Sequence, residues 1–479
     1  MNTFKSAGNR DGKKGFYLLE GLKKVHFIGI GGYGMSALAF ILLQAGIEVQ
    51  GSDIQRSGIT TQLEKMGAQV FWGHKPEQVG DAQLAVYSTA IRPDNPEMEA
   101  ARRKGLPLWH RSELLGAILN AGYGVAVAGT HGKTTTTAMI SYILAKGGYD
   151  PTAVIGGEVP FFQGNARLGK SRYIIAEACE SDHSFLRYKP RLALVTNIDA
   201  DHLEHYNGSF EQLVETYLQF IDNASATGKI ILCSDDPVLR ALLPGKSSSL
   251  MSYGLLPGAD IRGGDIELRG LGAKFKVYYR EKPLGAITLR VPGRYNIANA
   301  LGALSVALHL GLDFATIQDA LANFDGVKRR FEIVGEKEGI LVVDDYAHHP
   351  TEIKVALEAA RQSGRRLVCV FQPHRYTRTS FLWDDFKKAF GKADLLLLTD
   401  IYSAGEKPLL QITASRLARE IRQGGHGGVH FLRDKEQVIT FLAGNTRSGD
   451  LVLTLGAGDV WQIGRDFLKD SFPRSVYSP

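Results

Sequence analysis

Short apolar runs that end in glycine or acidic turns alternate along this chain with longer stretches that repeat apolar residues every three to four positions. The runs at 25–28, 84–87, 125–128, 173–176, 192–196, 229–233, 340–344, 366–371, 394–399, 429–432 and 450–455 read as strands. Residues 35–44, 296–311 and 351–363 read as helices, the last with apolar positions at Ile353, Ala356, Leu357 and Ala360. Strand–helix alternation of this kind predicts a mostly parallel sheet covered on both faces. Residues 246–290 break the pattern. They are glycine-rich and alternate, as at Lys274–Phe275–Lys276–Val277–Tyr278–Tyr279, which predicts short antiparallel strands.

A chain of 479 residues is too long for one core and predicts three domains. We place them at 1–115, 116–328 and 329–479. In the first, a strand runs into Gly29-x-Gly31-x-x-Gly34, then a helix, then a second strand ending at Ser52–Asp53. This is a βαβ unit, with Asp53 about 20 residues beyond the glycines. The glycines let backbone approach a diphosphate, but UDP-sugars, FAD and NAD all carry one, and a purely structural turn has the same pattern.

The second domain opens on Gly129–Thr130–His131–Gly132–Lys133–Thr134–Thr135–Thr136–Thr137, between an apolar strand and a helix. Such a turn aims backbone N–H groups and a helix N-terminus at one point. Lys133 supplies a full charge for the β/γ-phosphate of a nucleotide, and the Thr134 hydroxyl can ligate Mg²⁺. The spacing departs from G-x-x-x-x-G-K-[ST], because position 127 is Val. The loop argues for ATP, and against an ordinary kinase or GTPase.

Two further runs follow successive strands: Glu177–Ala178–Cys179–Glu180–Ser181–Asp182–His183, and Asn197–Ile198–Asp199–Ala200–Asp201–His202. Carboxylates at strand ends beside a phosphate loop suit divalent cations, and two such clusters suggest a two-metal ATP site. Asn296 and Asn299 stand one helical turn apart and can face one ligand. Arg329–Arg330 lies where the second block meets the third, a place for a charge that arrives by domain closure. Asp344–Asp345–Tyr346–Ala347–His348–His349 and Gln372–Pro373–His374–Arg375–Tyr376–Thr377–Arg378 each follow a strand, which predicts a pocket for an amino acid and a transferring phosphoryl group.

Composition narrows the class. Hydrophobic content of 44% and charged content of 22% are those of a globular protein. A net charge of +6 suits anionic substrates and lacks the basic block that grips nucleic acid. The widely spaced Cys179, Cys233 and Cys369 cannot all pair, which predicts a reducing compartment. The polar N-terminus carries no signal peptide, and no apolar run reaches the length of a membrane span, so the cytoplasm is expected.

Taken together, GIGGYGMSALA, GTHGKTTTT, EACESDHSFL, TNIDADHLEHY, GRYNIANALGA, KRRFE, VDDYAHHPTE and QPHRYTR resemble the Mur ligases of peptidoglycan synthesis, in the family's order and across nearly the whole chain. The resemblance implies an α/β fold of three domains. These are a Rossmann-like N-terminal domain, a central P-loop ATPase-type α/β domain with a small antiparallel β part, and a C-terminal Rossmann-like domain. It implies ATP and Mg²⁺ as cofactors, UDP-N-acetylmuramate and L-alanine as substrates, an acyl-phosphate intermediate, and a monomer or weak homodimer without nucleic-acid or membrane partners. The residues it implies for the UDP-sugar are Gly31, Gly32, Gly34, Asp53 and Ser88. Those for ATP are Gly129, Thr130, His131, Gly132, Lys133, Thr134, Thr135, Asn296 and Asn299. Thr134, Glu180 and His202 would hold the metal. Lys133, Glu180, His202, Arg330 and Asp345 would carry catalysis, and His348, Arg375 and Arg378 would surround the amino acid and product end. Several sister ligases carry a carbamoylated lysine, but no lysine occurs here between Lys189 and Lys229, and Tyr217 takes that place. A ligase that recycles whole peptides, an NAD-dependent oxidoreductase and a non-catalytic nucleotide-binding regulator are the competing readings.

Overall fold

The computed structural model describes residues 21–201, 203–225, 228–243 and 249–469. The chain forms two compact units. One holds the residues up to Gly264 with Lys276–Gly285 and Ala298–Leu321, and the other holds Asp265–Phe275, Ala286–Ile297 and the residues from Ala322 onward.

The first unit begins with a parallel sheet of β1 (Lys24–Ile28), β2 (Glu48–Asp53), β3 (Gln69–Trp72), β4 (Leu84–Tyr87) and β5 (Leu108–His110). Its order is β3-β2-β1-β4-β5. The order reverses between β1 and β4, so a crevice opens beyond the carboxyl ends of those strands, where α/β sheets bind ligands. The helix Tyr33–Gln44 returns from β1 and buries Met35, Ala37, Leu38, Ile41 and Leu42.

A ten-stranded sheet follows, with Leu192–Val195, Tyr123–Ala128 and Tyr173–Glu177 as parallel neighbours at its centre. These runs are apolar throughout because both faces are covered. The hairpin Thr152–Val159 and Gly164–Arg167 forms one edge. It meets the first sheet's helix, where Asn165 Nδ2 donates to Tyr33 O at 2.9 Å and Leu168 N–H donates to Gln44 Oε1 at 2.8 Å.

The expectation of antiparallel strands across 246–290 needs correction at its start. Leu250–Gly254 runs parallel to Lys229–Cys233, and the beginning of Ile261–Arg269 runs parallel to it in turn. Alternation tells which side chains are half-buried, not which way the neighbouring strand runs. Here the helix Pro237–Ala241 provides the crossover that a parallel pair needs.

The second unit carries a six-stranded sheet in the order Glu332–Lys337, Ile340–Asp345, Asp450–Leu455, Arg366–Phe371, Leu395–Leu398, Val429–Phe431. All pairs are parallel except the first, an edge strand that the sequence reading left out. Alternate residues fill two cores, with Val343, Leu357, Cys369 and Leu453 on one face and Val342, Val368, Val370 and Val452 on the other. Among the described residues no helix is long and apolar enough to cross a membrane.

Candidate functional site

The glycine turn after β1 is tied down from below. Gly29 and Ile30 N–H groups donate to Ser52 O at 2.8 and 2.9 Å, and Gly31 N–H donates to Asp53 Oδ2 at 2.8 Å. A Cβ at Gly31 would lie 2.8 Å from that same oxygen, so only glycine fits. Asp53, expected to contact the nucleotide sugar, also braces the turn, one carboxylate oxygen accepting from Gly31 N–H and the other from Gln55 N–H at 3.2 Å. The helix that follows has Gly32 as its N-cap, no capping side chain and no acidic residue in its first turn. Its positive end is therefore left for an outside anion. Ser88 stands just beyond β4, across the switch point.

The phosphate loop is held by its glycines and by side chains from the neighbouring strand ends. Gly129 has φ +128°, and a Cβ there would overlap Thr196 Oγ1; Gly132 has φ +83°, and a Cβ there would lie 2.5 Å from Asn299 Oδ1. Both positions require glycine. Asn299 also accepts from Thr136 Oγ1 at 3.2 Å, so it braces the first turn of the helix Lys133–Lys146. Thr135 is buried in that turn. Asn296 turns to its own helix start, donating to Pro292 O at 2.7 Å.

Lys133 Nζ donates to Glu180 Oε1 and Oε2 at 3.0 and 2.9 Å and to the Gly129 and Thr130 carbonyls at 2.5 and 3.0 Å. Burial is the largest influence and pushes the ammonium down, but the Glu180 charge and hydrogen bond together with the nearby Cys179 and Glu177 outweigh it, and Lys133 is held above its usual range. Thr134 Oγ1 donates to Glu177 Oε2 at 3.2 Å, while Glu177 Oε1 accepts from Gly156 N–H at 2.5 Å. His131 is fixed through its N–H to Asn197 Oδ1 at 2.8 Å and through Nε2 to Asp199 Oδ2 at 2.9 Å. His202 lies outside the described residues. Tyr206 OH donates to Glu180 O at 2.5 Å. Tyr217 is fully buried, and its hydroxyl is pushed well up by burial and then by the Glu180 charge.

Thus Gly129, Thr130, His131, Gly132, Lys133, Thr134, Glu180 and Asn299 gather at one place. Glu177 and Asn197 belong with them; the sequence reading placed both in its strand-end clusters but gave neither an individual role. Their signal was present, since each stands at or just beyond the end of a strand beside the loop.

In the second unit Asp345 is buried at the end of its strand, with Oδ2 accepting from Phe331 N–H and Oδ1 from Ala347 N–H, both at 2.7 Å. Burial pushes its carboxyl up to about 7, against the opposing charge of Arg330. The Arg329 and Arg330 guanidinium groups lie 4.9 and 5.1 Å from the Tyr346 ring centroid, within cation–π range. Arg329 also bonds Asp344 Oδ2 at 3.2 Å and Gly456 O at 2.5 Å.

His348, Arg378 and His374 cluster at the next strand end. Arg378 Nη1 lies 3.3 Å from His374 Nδ1, and His374 stacks on Tyr402 at 5.6 Å and meets His348 edge-on at 5.8 Å. Burial, reinforced by the His348 and Arg378 charges, pushes His374 down to about 3. It stays neutral, so its Nδ1 accepts from the guanidinium. His374 is a residue the sequence reading did not single out. Arg375 has left-handed backbone, φ +68°, and is exposed.

The raised Asp345 value has a thermodynamic consequence. An unfolded carboxyl releases its proton near 4 and the folded one near 7, so across that window the folded state binds more protons and stability falls as pH rises. Asp345→Asn should show a smaller fall in urea midpoint between pH 5 and 7 than the parent. Equal slopes would contradict the buried, proton-holding environment.

Comparison with known proteins agrees with this arrangement. Three family models match: "Mur ligase family, catalytic domain" at residues 24–123, "Mur ligase middle domain" at 127–307, and "Mur ligase, glutamate ligase domain" at 329–458. The UDP-N-acetylmuramate–L-alanine ligase of Geobacter sp. strain M21 is 47% identical over 93% of this chain and 97% of its own length. That of Trichlorobacter lovleyi is 44% identical over 94% and 99%. Among solved structures, the UDP-N-acetylmuramate–alanine ligase of Thermotoga maritima superposes with TM-score 0.81 at 29% identity, covering 93% of this chain and 98% of that one. A murein peptide ligase of Psychrobacter arcticus superposes with TM-score 0.69 at 25% identity over the same shares. With three successive family domains matched along most of its length, the chain belongs to the Mur ligase family.

Proposed function

We propose that the chain is an ATP-dependent acid–amino-acid ligase that joins L-alanine to the carboxylate of UDP-N-acetylmuramate. The products are UDP-N-acetylmuramoyl-L-alanine, ADP and phosphate, and the step belongs to peptidoglycan synthesis. The observation that carries this reading is identity of 44–47% to alanine ligases across more than nine-tenths of the chain. The Lys133–Glu180 phosphate loop and the uncapped glycine-turn helix supply the two anion sites that such a reaction needs.

A carboxylate and an amine do not condense in water without activation. The muramoyl carboxylate oxygen attacks the γ-phosphorus of ATP and ADP leaves, giving an acyl phosphate. The amine of alanine then attacks the acyl carbon, loses a proton, and the tetrahedral intermediate expels phosphate. Both steps concentrate negative charge, which fixed cations stabilise. Lys133 faces the phosphates, Arg330 and Asp345 are assigned to catalysis with it, and His348, Arg375 and Arg378 surround the amino acid and product end, the neutral His374 lying beside Arg378. The oxygen donors of Thr134, Glu177 and Glu180 fit a hard divalent cation, and Thr134, Glu180 and His202 are assigned to Mg²⁺. Mg²⁺ supplies charge neutralisation on the ATP phosphates when bound. The same reading makes the enzyme a cytoplasmic monomer or weak homodimer, with domains at 1–115, 116–328 and 329–479.

Phosphate release from ATP, measured with UDP-N-acetylmuramate and single amino acids, tests the assignment. Release should require both the nucleotide sugar and an amino acid, with L-alanine preferred. Preference for a tripeptide over L-alanine would favour a recycling ligase, and tight NADH binding by the full chain would contradict the ligase reading.

A further inference from the structure

The fold places Arg111 at the crevice of the first sheet, beside the glycine turn read as the nucleotide-sugar site. It directly follows β5, at the carboxyl edge of the first sheet, on the same side as the glycine turn. A Cβ built at Gly34 would lie 3.3 Å from Arg111 Nη1, 3.5 Å from Cδ and 3.8 Å from Cζ. The guanidinium therefore rests on the first turn of the helix Tyr33–Gln44, which no side chain caps. A cation beside the positive end of a helix is an unfavourable placement, unless an anion lies between them.

Among the described residues no hydrogen bond engages the Arg111 donors. Its nearest carboxylate is Asp182, with Nη2 to Oδ2 at 3.7 Å, beyond hydrogen-bond reach, although the side chain is only 22% exposed. Asp182 Oδ2 and His110 Nε2, both buried, lie 3.8 Å apart and neither has a hydrogen-bond partner among the described residues. Burial pushes His110 down, so it stays neutral. Asp182 Oδ2 faces Arg111 without occupying its N–H fork. It stands two residues beyond Glu180, which grips Lys133.

We infer that Arg111 anchors the diphosphate of the nucleotide sugar against the glycine-turn helix, and that Asp182 positions it. This rests on the reading of Gly31, Gly32 and Gly34 as the nucleotide-sugar site. The planar guanidinium suits bidentate bonding to phosphate oxygens, and the helix N-terminus supports the same charge. The link from Arg111 through Asp182 to Glu180 joins the segment that holds the nucleotide sugar to the one that holds ATP.

The test is calorimetric titration of the full-length protein with UDP, UDP-N-acetylglucosamine and UDP-N-acetylmuramate, for the parent, Arg111→Met, Arg111→Lys and Gly32→Ala. Gly32 has φ −64°, and a Cβ there meets nothing closer than 3.5 Å, so Gly32→Ala folds and reports only whether a ligand needs that backbone. Arg111→Met should weaken all three ligands by about tenfold or more, with ATP affinity within twofold. In turnover, KM for the nucleotide sugar should rise more than kcat falls. Arg111→Lys keeps charge and stem, should recover part of the loss, and serves alone if Arg111→Met does not fold. A loss confined to UDP-N-acetylmuramate would overturn the assignment by moving the anchor to the sugar's carboxylate. Unchanged binding in both Arg111 variants with loss in Gly32→Ala would overturn the role of Arg111 and leave the site standing. Unchanged binding in all variants would overturn the site itself.

Discussion

Lys133→Ala is expected to lower ligation by at least about a thousandfold while UDP-N-acetylmuramate binds within twofold of the parent. The side chain that would be lost has four oxygen neighbours, two from Glu180 and two from the loop's own carbonyls. It is a half-buried cation at the head of a helix, inside a turn whose glycines permit no substituent. Removing it leaves Glu180 buried with its charge unpaired, so the variant would place a negative group where ATP phosphates must come. The nucleotide sugar is assigned to the glycine turn after β1, which Lys133 does not touch. Phosphate release and calorimetry on one preparation separate the two effects. A variant that keeps turnover would remove the phosphate-loop account, and one that loses nucleotide-sugar binding equally would show general damage.

Arg378→Ala is expected to cost about a hundredfold in kcat/KM for alanine, with ATP affinity changed much less, since a lost guanidinium contact to a charged group is worth roughly 3 kcal/mol. The Arg378 guanidinium sits 3.3 Å from His374, and its charge is among the causes that hold His374 neutral. The variant should therefore also shift the acid limb of the pH–rate profile upward as His374 regains basicity. Steady-state kinetics with alanine varied between pH 5 and 8 give both quantities. Parent-like turnover, or an equal loss of ATP affinity, would count against an amino-acid role.

The parts legible in sequence are those where local backbone need and chemistry coincide. Gly129 and Gly132 had to be glycine for conformation, and Lys133 had to follow them for charge, so one short run announced both strand–turn–helix geometry and phosphate binding. The strands at 125–128, 340–343 and 451–453 were legible because a strand buried on both faces is a near-continuous apolar run. Contacts between segments far apart in sequence were not. Glu177 reaches Thr134, and Asn197 reaches His131, only after three strands have come into register. The position of Asp53 at a strand end was read correctly, but its carboxylate turns back to Gly31 N–H, which strand spacing does not encode. The parallel course of Leu250–Gly254 escaped for the same reason, since direction depends on the crossover before the strand.

The central claim is that the carboxylate of UDP-N-acetylmuramate attacks the γ-phosphorus of ATP before the amine of alanine attacks the acyl carbon. Label transfer tests it most directly. UDP-N-acetylmuramate carrying ¹⁸O in both carboxylate oxygens should deliver one ¹⁸O to each phosphate released during ligation of L-alanine, read by mass spectrometry of the phosphate. Unlabelled phosphate formed in step with UDP-N-acetylmuramoyl-L-alanine would contradict the acyl-phosphate route and the site roles built on it.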